Sequence, residues 1–282
     1  MTDGATVAFD QIGYWSELKL EIVRKYAAAY SQVVATQLKP SFHHVYIDGF
    51  AGAGKHISKT TGEFVEGSPL NALAITPPFK EHFLVDLDGS KVEHLRGLVG
   101  HRSDVHILHG DCNTVLLDQV FPQVLYENYR RGLCLLDPYG LHLDWEVMHQ
   151  AGQMRTIEIF LNFPVMDINR NALWRQPDKV SPQQQQRMTR FWGDDSWREL
   201  LYRPARQTSL FGEEQEKVEN AEVAEAFRQR LVDHAGFRFV PAPLPMRIST
   251  GAVVYYLFFA GPNETGKKIV TSIFDAYRQR KG

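Results

Sequence analysis

Only two cysteines, Cys112 and Cys134, occur in 282 residues. That is too few for an iron–sulfur cluster or a four-cysteine zinc site, and such scarcity suits a reducing compartment; no metal site is expected. No apolar run reaches the length of a membrane span, and the first eight residues lack the basic start and apolar block of a secretory signal. The expectation is a cytoplasmic chain with no membrane contact. Charge of one sign is missing too: 31 Lys and Arg stand against 33 Asp and Glu, a net of −2, so contact with nucleic acid would need a local patch. There is no internal repeat. What is present is 44% hydrophobic content, ample for one large domain or a domain with a sizeable insertion.

Leu18, Ile22, Val23, Tyr26, Ala27, Tyr30, Val33 and Val34 recur at helical spacing, which predicts a leading amphipathic helix over 14–35 with Lys19 and Lys25 in solvent. Strand and helix then alternate. Residues 45–48 predict a strand; a polar detour over 55–66 leads to Gly67-Ser-Pro-Leu70, where Ser68 suits the helix N-cap and Pro69 the first helical position. Further strands are expected over 82–86, 105–109, 131–136 and 156–163, with helices over 90–99, 114–126 and from Asp144. Alternation at this spacing implies right-handed crossovers and a parallel sheet covered on both faces.

From Asp167 to Gly212 the alternation lapses into a stretch with Trp174, Trp192 and Trp197 and the arginines 170, 175, 187, 190, 198 and 203, read as an insertion. This interleaving suits phosphate contact and base stacking, and equally suits a core. A helix over 213–234, strands over 237–240 and 253–260 around a proline-rich bend, and a last helix over 264–280 complete the chain; Lys281 and the arginines of that helix read as a solvated face.

The chain is organised around Val45-Tyr-Ile-Asp-Gly-Phe-Ala-Gly-Ala-Gly54, an apolar run that ends at Asp48 and breaks into glycines. Only a residue without Cβ lets the backbone turn sharply and approach a nucleotide-like group. Gly49, Gly54 and Lys55 fit a phosphate-cradling Gly-x-x-x-x-Gly-Lys, but His56 stands where Ser or Thr should hold magnesium. Gly52-Ala-Gly54 opens a dinucleotide loop, but Ile57 stands where the third small residue should be. Asp48, Phe50, Gly52 and Gly54 fit Asp-x-Phe-x-Gly-x-Gly, which resembles the first motif of S-adenosylmethionine-dependent methyltransferases, notably those acting on nucleic acids. On that reading Asp48, Gly49, Phe50, Ala51, Gly52, Gly54 and Ser68 border the cofactor.

In an open parallel sheet a ligand sits beyond the carboxyl ends of the strands, so the acids there are informative. Asp86 or Asp88 is placed to accept from ribose hydroxyls, the other to cap the helix that follows. Asp111, with Cys112 and Asn113, stands where the adenine amino group would lie, or caps the next helix. Asp137-Pro138-Tyr139-Gly140 resembles the fourth motif of amino-methyltransferases, with an aromatic in place of the usual second proline. An exocyclic amine must keep its lone pair aimed at the methyl, so the acid and the proline-adjacent carbonyl accept its protons while the ring stacks on the base. A cytosine C5 methylase would need a nucleophilic cysteine here, whereas Cys134 lies inside a strand. Asn162, Asn169 and Arg170, after the fifth strand, border the substrate or cap the insertion.

Trp15 with Lys19, Tyr46 to Lys55, Gly67-Ser-Pro-Leu70, Asp137-Pro-Tyr-Gly140, Asn162-Phe163 before Asn169-Arg-Asn171, and Tyr256-Leu-Phe-Phe-Ala260 with Gly266-Lys-Lys-Ile269 resemble the three-Cys-motif partner protein (TcmP) family along nearly the whole chain. The resemblance implies an α/β fold with a Rossmann-like, doubly wound, mostly parallel seven-stranded methyltransferase sheet, helices on both faces and an inserted helical segment. Its boundaries would be an N-terminal helical segment 1–40, the methyltransferase domain 41–166 and 213–282, and a substrate- or partner-binding insertion 167–212. It further implies S-adenosylmethionine as cofactor and a partner protein bearing three cysteines. The expected activity is methyl transfer to an amine of a nucleic acid or nucleoside; the alternatives are a small-molecule or peptide methyltransferase and a non-catalytic nucleotide-binding partner.

Overall fold

A computed structural model of the protein describes residues 9–38, 40–174, 176–204, 215–248 and 251–278. Arg175, Gly212, Arg280, Lys281 and the first eight residues, on which expectations fell, lie outside this set. A two-residue strand β1 (Gln11–Ile12) precedes α1 (Tyr14–Ala35), which has the predicted bounds. The glycine loop follows β2 (His43–Asp48). The polar detour is a hairpin, β3 (Lys55–Ser58) and β4 (Phe64–Glu66), that β1 joins in parallel through Ile57 N–H to Asp10 C=O and Lys59 N–H to Ile12 C=O. A helix therefore does not follow the loop directly. Both the phosphate-cradling loop and the dinucleotide loop need one there, and the next helix, α2 (Ser68–Leu73), begins only after the hairpin. Its N-cap is Gly67 and no side chain caps it, so Ser68 occupies the first helical position instead of the cap.

The alternation continues with β5 (Glu81–Asp86), α3 (Gly89–Val99), β6 (Val105–His109) and α4 (Cys112–Val115). The helix expected over 114–126 is instead α4 continued by a π-helical turn at Leu116–Val120 and a 3-10 turn at Phe121–Gln123. Then come β7 (Arg130–Leu136), α5 (Trp145–Met154), β8 (Ile157–Phe163), α6 (Val165–Asn171), α7 (Pro182–Trp192), α8 (Trp197–Leu200) and the antiparallel pair β9 (Tyr202–Pro204) and β10 (Gln215–Lys217). The chain closes with α9 (Asn220–Asp233), β11 (Leu244–Arg247), β12 (Val253–Ala260) and α10 (Glu264–Arg278). The strand expected over 237–240 makes only one isolated bridge, Phe239 to Gly261; the sixth strand of the large sheet is β11, inside the proline-rich bend. Pro245 is tolerated because β11 is an edge strand with one side unpaired.

The seven-stranded sheet has the order β11-β12-β8-β7-β2-β5-β6. The five strands from β8 to β6 are parallel, and β12 runs antiparallel between β11 and β8. Two apolar clusters cover its faces, and alternate side chains divide between them: Val45, Ile47, Cys134 and Leu136 go to one, Tyr46, Leu133 and Leu135 to the other. Leu116, Val147 and Phe227 close the first face; Tyr26, Leu95 and Phe274 close the second. Both faces are thus dry, as the near-continuous apolar strands require. Phe191, Trp192 and Trp197, from the stretch read as an insertion, join the first cluster, which removes Trp192 and Trp197 from base stacking.

Candidate functional site

The chain reverses its direction of spread across the sheet between β2 and β7, which leaves a crevice beyond their carboxyl ends. A cavity of about 320 Å³ lies there, within the size range of small-molecule sites. Phe50, Gly52, Ser68, Asp86, Asp137, Pro138, Tyr139 and Asn162, all expected at a site, line it. Asp10, Ser16, Lys19, His56 and Lys91, not expected there, line it as well.

Asp48 does not reach the cavity; it is fully buried and braces the loop. Its carboxylate accepts from Phe50 N–H at 3.1 Å and from the Tyr46 hydroxyl at 3.4 Å. Burial pushes its pKa up to about 7, against the pull of hydrogen bonds from Ser68 and Phe50. Gly52, in the left-handed region at φ 63°, donates its N–H to Asp86 Oδ2 at 2.7 Å. Gly54 has φ 80°, and a Cβ there would lie 2.8 Å from Leu95 Cδ1, so a side chain is barred twice. Ala51 N–H is held by Val85 C=O and Gly49 N–H by Leu135 C=O, which pins the loop between its two neighbouring strands.

Asp86 and Asp88 part company. Asp86 lines the cavity; Asp88 accepts from Ser90 and Lys91 N–H as the N-cap of α3. Asp111 likewise caps α4 through Asn113 and Thr114 N–H, Asn113 bridges His142 C=O and Asp144 N–H, and Cys112 packs under Gly49. Asp111, Cys112 and Asn113 do not line the cavity; the Asp111 cap uses Oδ1 alone. Asn169 is held by Asn220 and Lys217, and Arg170 lies exposed, its guanidinium on Met166 Sδ; neither lines the cavity.

Asp137 is held on both oxygens. Asn162 Nδ2 donates to Oδ1 at 2.7 Å, and Lys19 Nζ forms a short ion pair with Oδ2. Lys19 is 5% exposed, contrary to the expectation of a solvated side chain, and its ammonium also lies 5.5 Å from the Tyr255 ring centroid. A buried ammonium needs such partners. The sequence carried a signal for it: Lys19 precedes Val23 by four residues and Tyr26 by seven, and so lies on the apolar stripe of α1. Tyr139, 66% exposed, donates its hydroxyl to Asp10 Oδ2 at 3.0 Å, and Asp10 also takes Lys91 Nζ at 2.7 Å. Gly140 has φ 58° and faces the Asp167 carboxylate, where a Cβ would lie 2.6 Å from Oδ2.

The raised Asp48 carboxyl has a consequence for stability. A carboxyl whose pKa is higher folded than unfolded stabilises the fold fully below its unfolded pKa, and that contribution is lost as pH rises through about 7. Asp48→Asn is expected to flatten this dependence: urea unfolding of the wild type between pH 4 and 8 should lose more stability than the variant does. Parallel curves would contradict the assignment of a protonatable Asp48.

No protein-family model and no curated protein sequence matches the chain. Among solved structures it is similar to a protein of the DUF519 family from Legionella pneumophila, at 11% identity and a TM-score of 0.50, over 92% of this chain and 91% of that one. At that identity the likeness is one of fold. Lower TM-scores of 0.43 relate it to a candidate methyltransferase from Thermobifida fusca, at 16% identity over 87% of this chain and 80% of that one, and, at 0.43 again, to a candidate S-adenosylmethionine-dependent methyltransferase from Listeria monocytogenes, at 11% identity over 85% and 99%. Among the described residues no helix is long and apolar enough to cross a membrane.

Proposed function

We propose that this chain is an S-adenosylmethionine-dependent methyltransferase that acts on an amine of a nucleic acid or nucleoside. One observation carries the reading: Phe50 and Gly52 of the glycine loop after β2, Asp86 at the end of β5 and Asp137, Pro138 and Tyr139 after β7 all border a single cavity at the sheet's carboxyl edge. The donor set fits the cofactor. Asp86, whose two oxygens each accept one backbone N–H, from Gly52 and Asp88, has a second lone pair on each for the ribose hydroxyls; Gly52 lets the backbone come close, and Phe50 offers an apolar face. When bound, the cofactor supplies a methyl group on a positively charged sulfur.

The remaining work falls to the chain. Asp137, fixed by Lys19 and Asn162, accepts an N–H of the acceptor; the Pro138 carbonyl accepts the second, so the nitrogen lone pair faces the methyl. The exposed Tyr139 ring stacks on the acceptor. A base within a duplex would have to be flipped out to reach it. The family resemblance adds a cytoplasmic setting, where both buried cysteines stay free, and a three-cysteine partner, which co-purification from the source cells would reveal.

The direct test is transfer of a tritiated methyl group from S-adenosylmethionine to RNA, DNA, free nucleosides and peptides in parallel. Label in an N-methylated base is the expected result; label in peptide alone, or in none of the four, would refute the reading.

A further inference from the structure

The opposite, amino edge of the sheet holds two adjoining cavities of about 410 and 880 Å³. Tyr126, Arg155 and Asn263 line both. Arg131 lines the smaller and Arg238 the larger, so each cavity holds two arginines, with Arg155 common to both. Among the described residues none of the three is paired with a carboxylate. Arg131 lies between two rings, 4.5 Å from the centroid of Phe42 and 4.5 Å from that of Tyr126, with one N–H on the Arg130 carbonyl. Stacking of this kind occupies the faces of a guanidinium and leaves its edge for an oxyanion. The lining carboxylates do not cancel the charge. Glu158 is buried, takes the Tyr26 hydroxyl at 2.5 Å and has its pKa pushed up to about 7 by burial, and Glu264 reaches Lys268 at 3.3 Å.

A second, independent observation comes from the backbone. Arg155 ends α5 in the left-handed region, at φ 56° and ψ 17°. Glycine is the residue that relieves this position, and an arginine held there is strained. The strained residue is the arginine that both cavities share.

We propose that this recess binds a phosphate group, with Arg155 as the bridging ligand and Arg131 and Arg238 on either side. Paired guanidinium edges match phosphate oxygens in geometry and charge, and the exposed Tyr126 ring offers a shelf for whatever the phosphate is attached to. The site lies across the sheet from the crevice of Asp86 and Asp137 and is independent of the reaction proposed there.

Calorimetric titration of the full chain with pyrophosphate, and separately with a single-stranded oligonucleotide, tests it. Arg155→Gly and Arg238→Ala should each weaken pyrophosphate binding at least tenfold, and Arg155→Gly should melt no lower than the wild type, because glycine suits the backbone. An oligonucleotide that displaces pyrophosphate and binds more tightly assigns the phosphate to a polynucleotide; failure to displace it assigns a small phosphorylated compound. No heat from either probe at millimolar concentration, or variants that bind like the wild type, would overturn the site.

Discussion

Asp137→Ala is expected to lower methyl transfer about a thousandfold, within the range lost with a positioned proton acceptor, while leaving cofactor affinity nearly unchanged. The same substitution strands the Lys19 ammonium, whose side chain is 7% exposed. Removing one partner of a buried pair costs several kcal/mol, and because Asp137 retains 29% exposure the low end applies, about 3 kcal/mol. Lys19→Met is expected to cost less, since the carboxylate left behind can reach water and keeps Asn162. The double variant should therefore be more stable than Asp137→Ala alone. A double-mutant cycle in urea checks this; strictly additive losses would mean that the two charges are not coupled. Asp137→Asn, which preserves shape, separates lost chemistry from lost fold.

The second large effect distinguishes two neighbouring acids. Asp86→Ala should weaken S-adenosylmethionine binding about a hundredfold, because it removes a charged acceptor from the cavity, at about 1.5–3 kcal/mol per charged hydrogen bond, and frees the Gly52 amide that shapes the loop. Asp88→Ala should leave affinity unchanged and slightly lower the melting temperature through loss of a helix cap. Isothermal titration of both variants decides; equal loss in the two would contradict the division of roles.

The parts of the fold set by local chemistry were legible in the sequence. The helix over 14–35, the alternation of strands and the positions of Asp48 to Gly54 and Asp137 to Gly140 follow from periodicity and turn residues, which act over a few positions. What escaped depends on contacts distant in the chain. Lys19 lies on the apolar stripe of α1, but the partner that holds it there, Asp137, is 118 residues away in the sequence. Asp10 carries no local signal, since the two-residue strand that follows it is held by the edge of β3. The prolines around β11 read as a bend because the sequence does not show that the strand has one free side. Asn113 shows the reverse case: its motif position suggested a ligand, and the entry to α5 took both ends of its amide.

Calorimetric titration of the chain with S-adenosylmethionine, S-adenosylhomocysteine and ATP, beside Asp48→Ala, tests for a cofactor pocket at the end of β2. Both sulfur compounds are expected to bind, with binding lost in the variant because the Phe50 amide and the Tyr46 hydroxyl lose their acceptor and the loop loosens. Binding of ATP alone would contradict this pocket.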